Sequence, residues 1–399
     1  MGSLQGDVAT SPSLSSTGSN DGGRVGGGGG GDINNGVYDG ARIYACFTHG
    51  GSNSLECYEP GANTWRRVGP IPGVPAGHVL KGFAVVALGD SVFLIGGRLC
   101  RRDLTGESHR DTDVGVRADV LRYDARGGEW RGCAPLGVAR FDFACAVCHG
   151  RICVAGGLTS LSGARGTAAA EVYDADQGRW TRLPDMSTRR YKCVGVTWQG
   201  GFHVVGGFAE STSAAAATSA LGGGDVSSSS ALERSSAEVF NCGRGAWEIL
   251  PGMWQLDVPP NQIVAVAGRL FSSGDCLNSW KGHVEAYDGQ LNIWSVMDHS
   301  AVADLSLLAS LPPSAQQLYL TMAVVGTRLF FLAGYEVPCD DDEESFRTLS
   351  LVHSFDTSAV PGLVSAWSSF QPKMVDQENT VEDGSKELFS QCCSVQLSS

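Results

Sequence analysis

Four stretches of this chain hold residues whose types and spacing could do chemistry. Cys145 and Cys148 are separated by two residues, the spacing of a redox dithiol or of half a zinc site. His109, Asp111 and Asp113 fall within five residues, and imidazole with carboxylates is a donor set for a divalent cation. The run 340–344 is wholly acidic, and 26–31 is unbroken glycine, as in a loop that cradles phosphate.

None of the four is expected to carry a reaction. The two cysteines lie in an apolar run with strand character, where residues three apart point to opposite faces. No second cysteine pair with zinc spacing accompanies them. The His/Asp group shares its stretch with Arg101, Arg102 and Arg110 and reads as a solvated, mobile loop, as does the acidic run. After the glycines comes neither a Lys-Ser/Thr pair nor a helical pattern. The expectation is no catalytic residue, no metal site and no cofactor.

Composition narrows the class of partner. The formal charge of −13, without a basic stripe, argues against nucleic acid. The stretch 318–335 is long and apolar enough to suggest a membrane span, but Gly326, Thr327 and Arg328 interrupt it. It reads as two buried strands joined by a tight turn, so no membrane association is expected. The thirteen cysteines are an odd number scattered through apolar runs, with no secretory leader before them. That implies free thiols in a reducing compartment, the cytoplasm or the nucleus. Met1 and Gly2 open a myristoylation-like sequence, but position 6 is Gly rather than Ser or Thr. Residues 1–40, rich in Ser, Gly, Asn and Asp, are expected to be a disordered tail, since they cannot bury enough apolar surface to offset their ordering entropy.

The elements that would position any site come from a repeat. Residues 140–183 contain two apolar runs hinged at His149 and Gly150, then Gly156 and Gly157, then Glu171, Val172, Tyr173 and Asp174, then Trp180. This pattern predicts four antiparallel strands. Six tryptophans, Trp65, Trp130, Trp180, Trp247, Trp294 and Trp367, mark six copies spaced by 65, 50, 67, 47 and 73 residues. The excess over about 50 residues is inserted loop, chiefly 98–119, 208–235, 299–317 and 335–349. The first copy, starting near residue 42, lacks its first strand, and the pattern of 388–397 suits the first strand of a unit. The C-terminus is therefore expected to complete the first unit and remove two free sheet edges.

A strand pair ending in Gly-Gly, then Tyr-Asp, then Trp resembles the kelch repeat. Six copies imply an all-β, six-bladed kelch β-propeller over residues 41–398, closed by the C-terminal strand. The stretches 134–145 and 152–157 also resemble plant F-box/kelch-repeat proteins. In that family the propeller captures a target, while an F-box of helical, Leu-Pro-rich character docks onto an SCF-type ubiquitin ligase. No such segment is recognisable before the first unit. Two enzyme-like relatives of the fold are the alternative: copper oxidases with Tyr and His ligands, and iron-dependent specifier proteins with an acidic/His motif that has no match here.

The function expected from the resemblance is a non-catalytic scaffold that binds a protein partner on one face, with ubiquitin-ligase components as possible associates. Arg140, Phe141, Arg189, Arg190 and Tyr191 join successive units, and Arg98 and Phe208 follow glycine pairs. Arg and aromatic side chains are enriched at interface hot spots. These seven residues either line the partner-binding mouth or brace neighbouring blades.

Overall fold

The computed structural model describes residues 38–398 apart from 50, 103–110, 164, 212–233, 257, 276–279, 298–306, 308–309, 339–345, 360–365 and 376–385. Most of the tail 1–40, the glycine run, His109 and the acidic run 340–344 thus lie outside the described residues. Among the described residues no helix is long and apolar enough to cross a membrane.

Among the described residues the protein is all-β, and five of the sheets are four-stranded antiparallel meanders. The second sheet uses Ala84–Leu88, Ser91–Ile95, Val120–Asp124 and Trp130–Cys133. The third uses Ala144–Cys148, Arg151–Ala155, Ala170–Asp174 and Arg179–Leu183. The fourth uses Val194–Trp198, Gly201–Val205, Ala237–Asn241 and Ala246–Leu250. The fifth uses Ile263–Val266, Arg269–Ser272, Glu285–Asp288 and Ile293–Val296. The sixth uses Gln316–Val325, Arg328–Pro338, Phe346–Asp356 and Trp367–Phe370.

The first sheet draws on both ends of the chain. Ala41–His49, Ser52–Glu59 and Thr64–Pro70 are its antiparallel centre. Cys393–Gln396 and Glu387–Leu388 pair antiparallel with Ala41–His49, and Lys373–Val375 adds a parallel outer strand that the repeat pattern does not contain.

Local chemistry accounts for these strands. The first hairpins of the third, fourth and fifth sheets turn through His149-Gly150, Gln199-Gly200 and Ala267-Gly268, and all six residues have positive φ. That geometry matches the right-handed twist of the flanking strands. In each of these six sheets the aromatic of the Tyr/Phe strand faces the tryptophan of the next strand in register: Tyr58 with Trp65, Tyr123 with Trp130, Tyr173 with Trp180, Phe240 with Trp247, Tyr287 with Trp294 and Phe355 with Trp367. Their ring centroids lie 5.0–5.4 Å apart, a favourable aromatic separation. The indoles of Trp180, Trp247 and Trp294 donate to the carbonyls of Ala134, Pro184 and Met253, which precede their own sheets.

The apolar core is divided among the spaces between consecutive sheets. Phe93, Ile95 and Val120 of the second sheet meet Phe143, Ile152 and Tyr173 of the third. Similar clusters join third to fourth, fourth to fifth, fifth to sixth, and first to second. Ile43, Phe47 and Trp65 meet Tyr319, Phe330 and Val352, which joins the sixth sheet to the first. The initial strands of the second to sixth sheets also touch in succession, and Cys393–Gln396 touches both Gln316–Val325 and Ala84–Leu88. The innermost place in the first sheet is thus held by C-terminal residues. All six innermost strands line one central cavity of about 900 Å³.

The insertions differ from the loops expected of them. Arg98–Arg101 and Thr112–Val116 form a three-stranded sheet with His78–Lys81, and Phe208–Ser211 pairs with Thr188–Tyr191. In the sixth sheet the hairpin simply lengthens, through Pro338 and Phe346. Their backbone groups continue to find ladder partners beyond the Gly pair, so strand structure extends into the insertions.

Candidate functional site

The site residues expected at the joins sort into two environments. Arg140 and Arg190 are fully buried. Arg140 donates from Nη1 to the carbonyls of Gly156 (2.9 Å) and Ala169 (2.7 Å), and from Nη2 to Glu171 Oε1 at 2.6 Å. Glu171 in turn accepts from the amides of Gly137 and Val138. One sheet further on the arrangement recurs. Arg190 donates from Nη1 to the carbonyls of Gly206 and Ser236, each at 3.1 Å, and pairs with Glu238 at 3.4 Å. Glu238 accepts from the amides of Ser187 and Thr188 and from the Ser187 hydroxyl.

These two guanidinium groups therefore brace the joins from inside, the second of the two roles open to them from sequence. Burial pulls Arg140 below the ordinary arginine value, and Glu171 opposes that pull. A buried guanidinium that satisfies the backbone carbonyls at the Gly pair holds the join against the sheet that follows it.

A third pair of the same kind lies in the first sheet. Lys386 Nζ sits 2.6 Å from Glu56 Oε2, with both side chains buried, and 3.9 Å from the Phe47 ring centroid. Burial raises the Glu56 carboxyl, but Lys386 and His49 outweigh it and leave it below the usual carboxylate range. The sequence alone singled out neither Lys386 nor the acidic halves of these pairs. Their signal was visible: Glu56, Glu171 and Glu238 each stand two residues before the aromatic that faces the tryptophan.

The other expected residues form two smaller groups. Phe141 is buried beside half-buried Arg98, whose guanidinium carbon stands 5.0 Å from the Phe141 ring centroid, and Arg98 also pairs with Asp113 at 3.0 Å. Tyr191 and Phe208 face each other across the Thr188–Tyr191/Phe208–Ser211 ladder, with ring centroids 5.0 Å apart, and Arg189 on the same strand is exposed. The structure thus groups Arg98 with Phe141, and Tyr191 with Phe208.

At the mouth of the cavity, the joins are laced together by main-chain bonds. The Gly82 amide donates to Phe389, Asp142 to Gly82 and Lys192 to Asp142. Asp142 and Lys192 both adopt φ of 53°. Burial raises the Asp142 carboxyl, partly offset by Lys192 and Arg98.

The stretches with chemical potential are otherwise employed. Cys145 packs between the second and third sheets and Cys148 between the third and fourth, on opposite faces of one strand. Burial drives the Cys145 thiol well above its ordinary value, so it stays protonated and is not a nucleophile. Asp111 pairs with Lys81 at 2.6 Å, and Asp113 is held by Arg98.

Residues 139–187 match the family model of the kelch motif. An F-box/kelch-repeat protein of Arabidopsis thaliana is 34% identical over 210 residues, which is 52% of this chain and 48% of that protein. Another, SKIP30 of the same organism, is 31% identical over 155 residues, 38% of this chain and 42% of that one. Kelch-like protein 40 of Mus musculus is 29% identical over 157 residues, 39% of this chain and 22% of the mouse protein. The matched part spans about half the length of the first of these relatives and less of the others. The chain carries the kelch repeat and resembles plant F-box/kelch-repeat proteins.

Proposed function

We propose that residues 41–398 form a six-bladed kelch propeller, closed by the C-terminal strand, that works as a non-catalytic scaffold and captures a protein partner on one face. Support for the ring comes from the six inter-sheet clusters and from the place of Cys393–Gln396 between the second and sixth sheets. Closure of this kind removes edge strands.

The observation that carries the capture role is the Tyr191–Phe208 pair with exposed Arg189, on a two-stranded ladder standing outside the four-stranded sheets. Arg98 stands on the same side of its own sheet, because it too follows a Gly pair. A binding face built in this way uses rigid aromatic anchors and an exposed cation. The names of the Arabidopsis relatives support a substrate receptor related to SCF-type ubiquitin ligases.

The test replaces Arg189, Tyr191 and Phe208 by Ala together in the full chain and compares pull-downs from the source tissue. Partners retained by the wild type should be lost by the variant while its melting temperature changes little. Identical captured sets would remove this face from the reading. Co-purification with the ligase linker subunit tests the ligase connection separately.

A further inference from the structure

The third and fourth sheets meet at a group of side chains that the capture reading does not use. Cys148 ends the strand Ala144–Cys148, His149 opens the hairpin turn after it, and Cys242 follows the strand Ala237–Asn241 of the next sheet. One ligand atom from each of the three lies within 4.8 Å of the other two. The group sits at the end of the strands opposite to the Gly pairs, so it is remote from the proposed capture face.

We propose that Cys148, His149 and Cys242 bind Zn²⁺ through two thiolates and one imidazole nitrogen, with solvent as the fourth ligand. The donor set is soft and contains no carboxylate, which selects zinc over magnesium or calcium. Zn–S and Zn–N bonds of about 2.3 and 2.0–2.1 Å place tetrahedral donors roughly 3.3–3.8 Å apart. The ligand atoms lie within 4.8 Å of one another, at most about 1 Å beyond the longest of those spacings. His149 and Cys242 are exposed, and rotation of the Cys242 side chain can close the remainder, while Cys148 is anchored in the core.

The imidazole is already oriented for the task. His149 Nε2 lies 2.9 Å from the Gly200 carbonyl oxygen. A carbonyl only accepts, so Nε2 is the protonated nitrogen and Nδ1 keeps its lone pair. Donation of the second ring N–H to a backbone carbonyl is the arrangement that fixes the tautomer of a metal-ligating histidine. The Thr197 hydroxyl donates to the Val147 carbonyl at 2.8 Å beside it, which ties the strand that ends in Cys148 to the first strand of the fourth sheet. A bound ion would clip the turn of one sheet to a turn of the next.

The experiment uses the full chain, purified with a thiol-free reductant, stripped by a chelator and titrated with Co²⁺ as an optical probe and then with Zn²⁺. One equivalent should bind, with thiolate-to-cobalt charge-transfer bands and the intense d–d bands of a tetrahedral site, and Zn²⁺ should displace it. Cys242→Ser should lose about half of the charge-transfer intensity, and His149→Gln should weaken binding about tenfold or more. Cys133→Ser, in the second sheet, should change neither. Zn²⁺ should raise the melting temperature of the wild type but not that of Cys242→Ser. Because Cys242 and His149 are exposed, both variants should fold, which melts of the metal-free proteins check. A wild type that takes up no saturable equivalent, or a Cys242→Ser variant that titrates like the wild type, overturns the proposal.

Discussion

Single residues here are decided by whether a charge or a dipole finds its partner out of water. Arg140 is buried with its guanidinium on Glu171 and two carbonyls. Removing the cation strands a buried carboxylate, which costs about 3–5 kcal/mol. Arg140→Ala should therefore lower stability by that order in a denaturant melt, and the double variant with Glu171→Ala should cost less than the sum of the two singles. An additive cycle would mean the two do not form a unit. His353 shows the opposite treatment of charge. It is fully buried, tilted against Trp280 with ring centroids 5.4 Å apart, and its Nδ1 is 2.8 Å from the Ser369 hydroxyl. Burial pulls its pKa from 6.5 to about 4. Since the unfolded imidazole takes up a proton first, its contribution is fully present above pH 6.5 and is lost as pH falls towards about 4. The shift amounts to about 3 kcal/mol. Melts across that range should show the wild type losing stability that His353→Gln does not lose.

At the scale of elements, the Gly pair and the aromatic pair do different work. Gly157 has φ of 94°, and a Cβ there would stand 2.7 Å from the Phe143 Cβ and 2.8 Å from the Phe141 carbonyl oxygen. Gly150, in the hairpin turn, has φ of 70° with open space around it. Gly157→Ala should thus cost at least about 2–3 kcal/mol, from strain and collision together, and Gly150→Ala about 1 kcal/mol from strain alone. Equal losses in parallel melts would contradict this account of the pair. The strand pattern itself was legible from turn residues and alternation, because both act over a few positions. What the pattern did not reveal is that strands continue into the insertions, as at Arg98–Arg101 and Phe208–Ser211, where pairing depends on a distant neighbour.

Across the whole molecule, stability rests on side-by-side sheets whose interfaces carry the core, and the first sheet depends on residues from both ends. Lys386 reaches Glu56 from 330 positions away, and Cys393–Gln396 covers the edge of Ala41–His49. Deleting residues 386–399 would leave Glu56 without Lys386 and open a hydrogen-bonding edge. The truncated chain should lose its cooperative melt and self-associate in light scattering. A truncated monomer with an unchanged melting temperature would refute the proposed closure.

By itself the sequence determined the kelch repeat, the hairpin at His149-Gly150, the order of the four strands in a unit and the opposite facing of Cys145 and Cys148. All of these follow from periodicity and backbone preference within one unit. Only the tertiary structure decided which cations are spent inside: Arg140 finds Glu171 31 positions on, and Arg190 finds Glu238 48 positions on. It also brought Cys242 to Cys148 and His149 across two sheets. The physical reason is the same in both cases: burial and donor geometry belong to the interface between sheets, and neither partner's local sequence carries it.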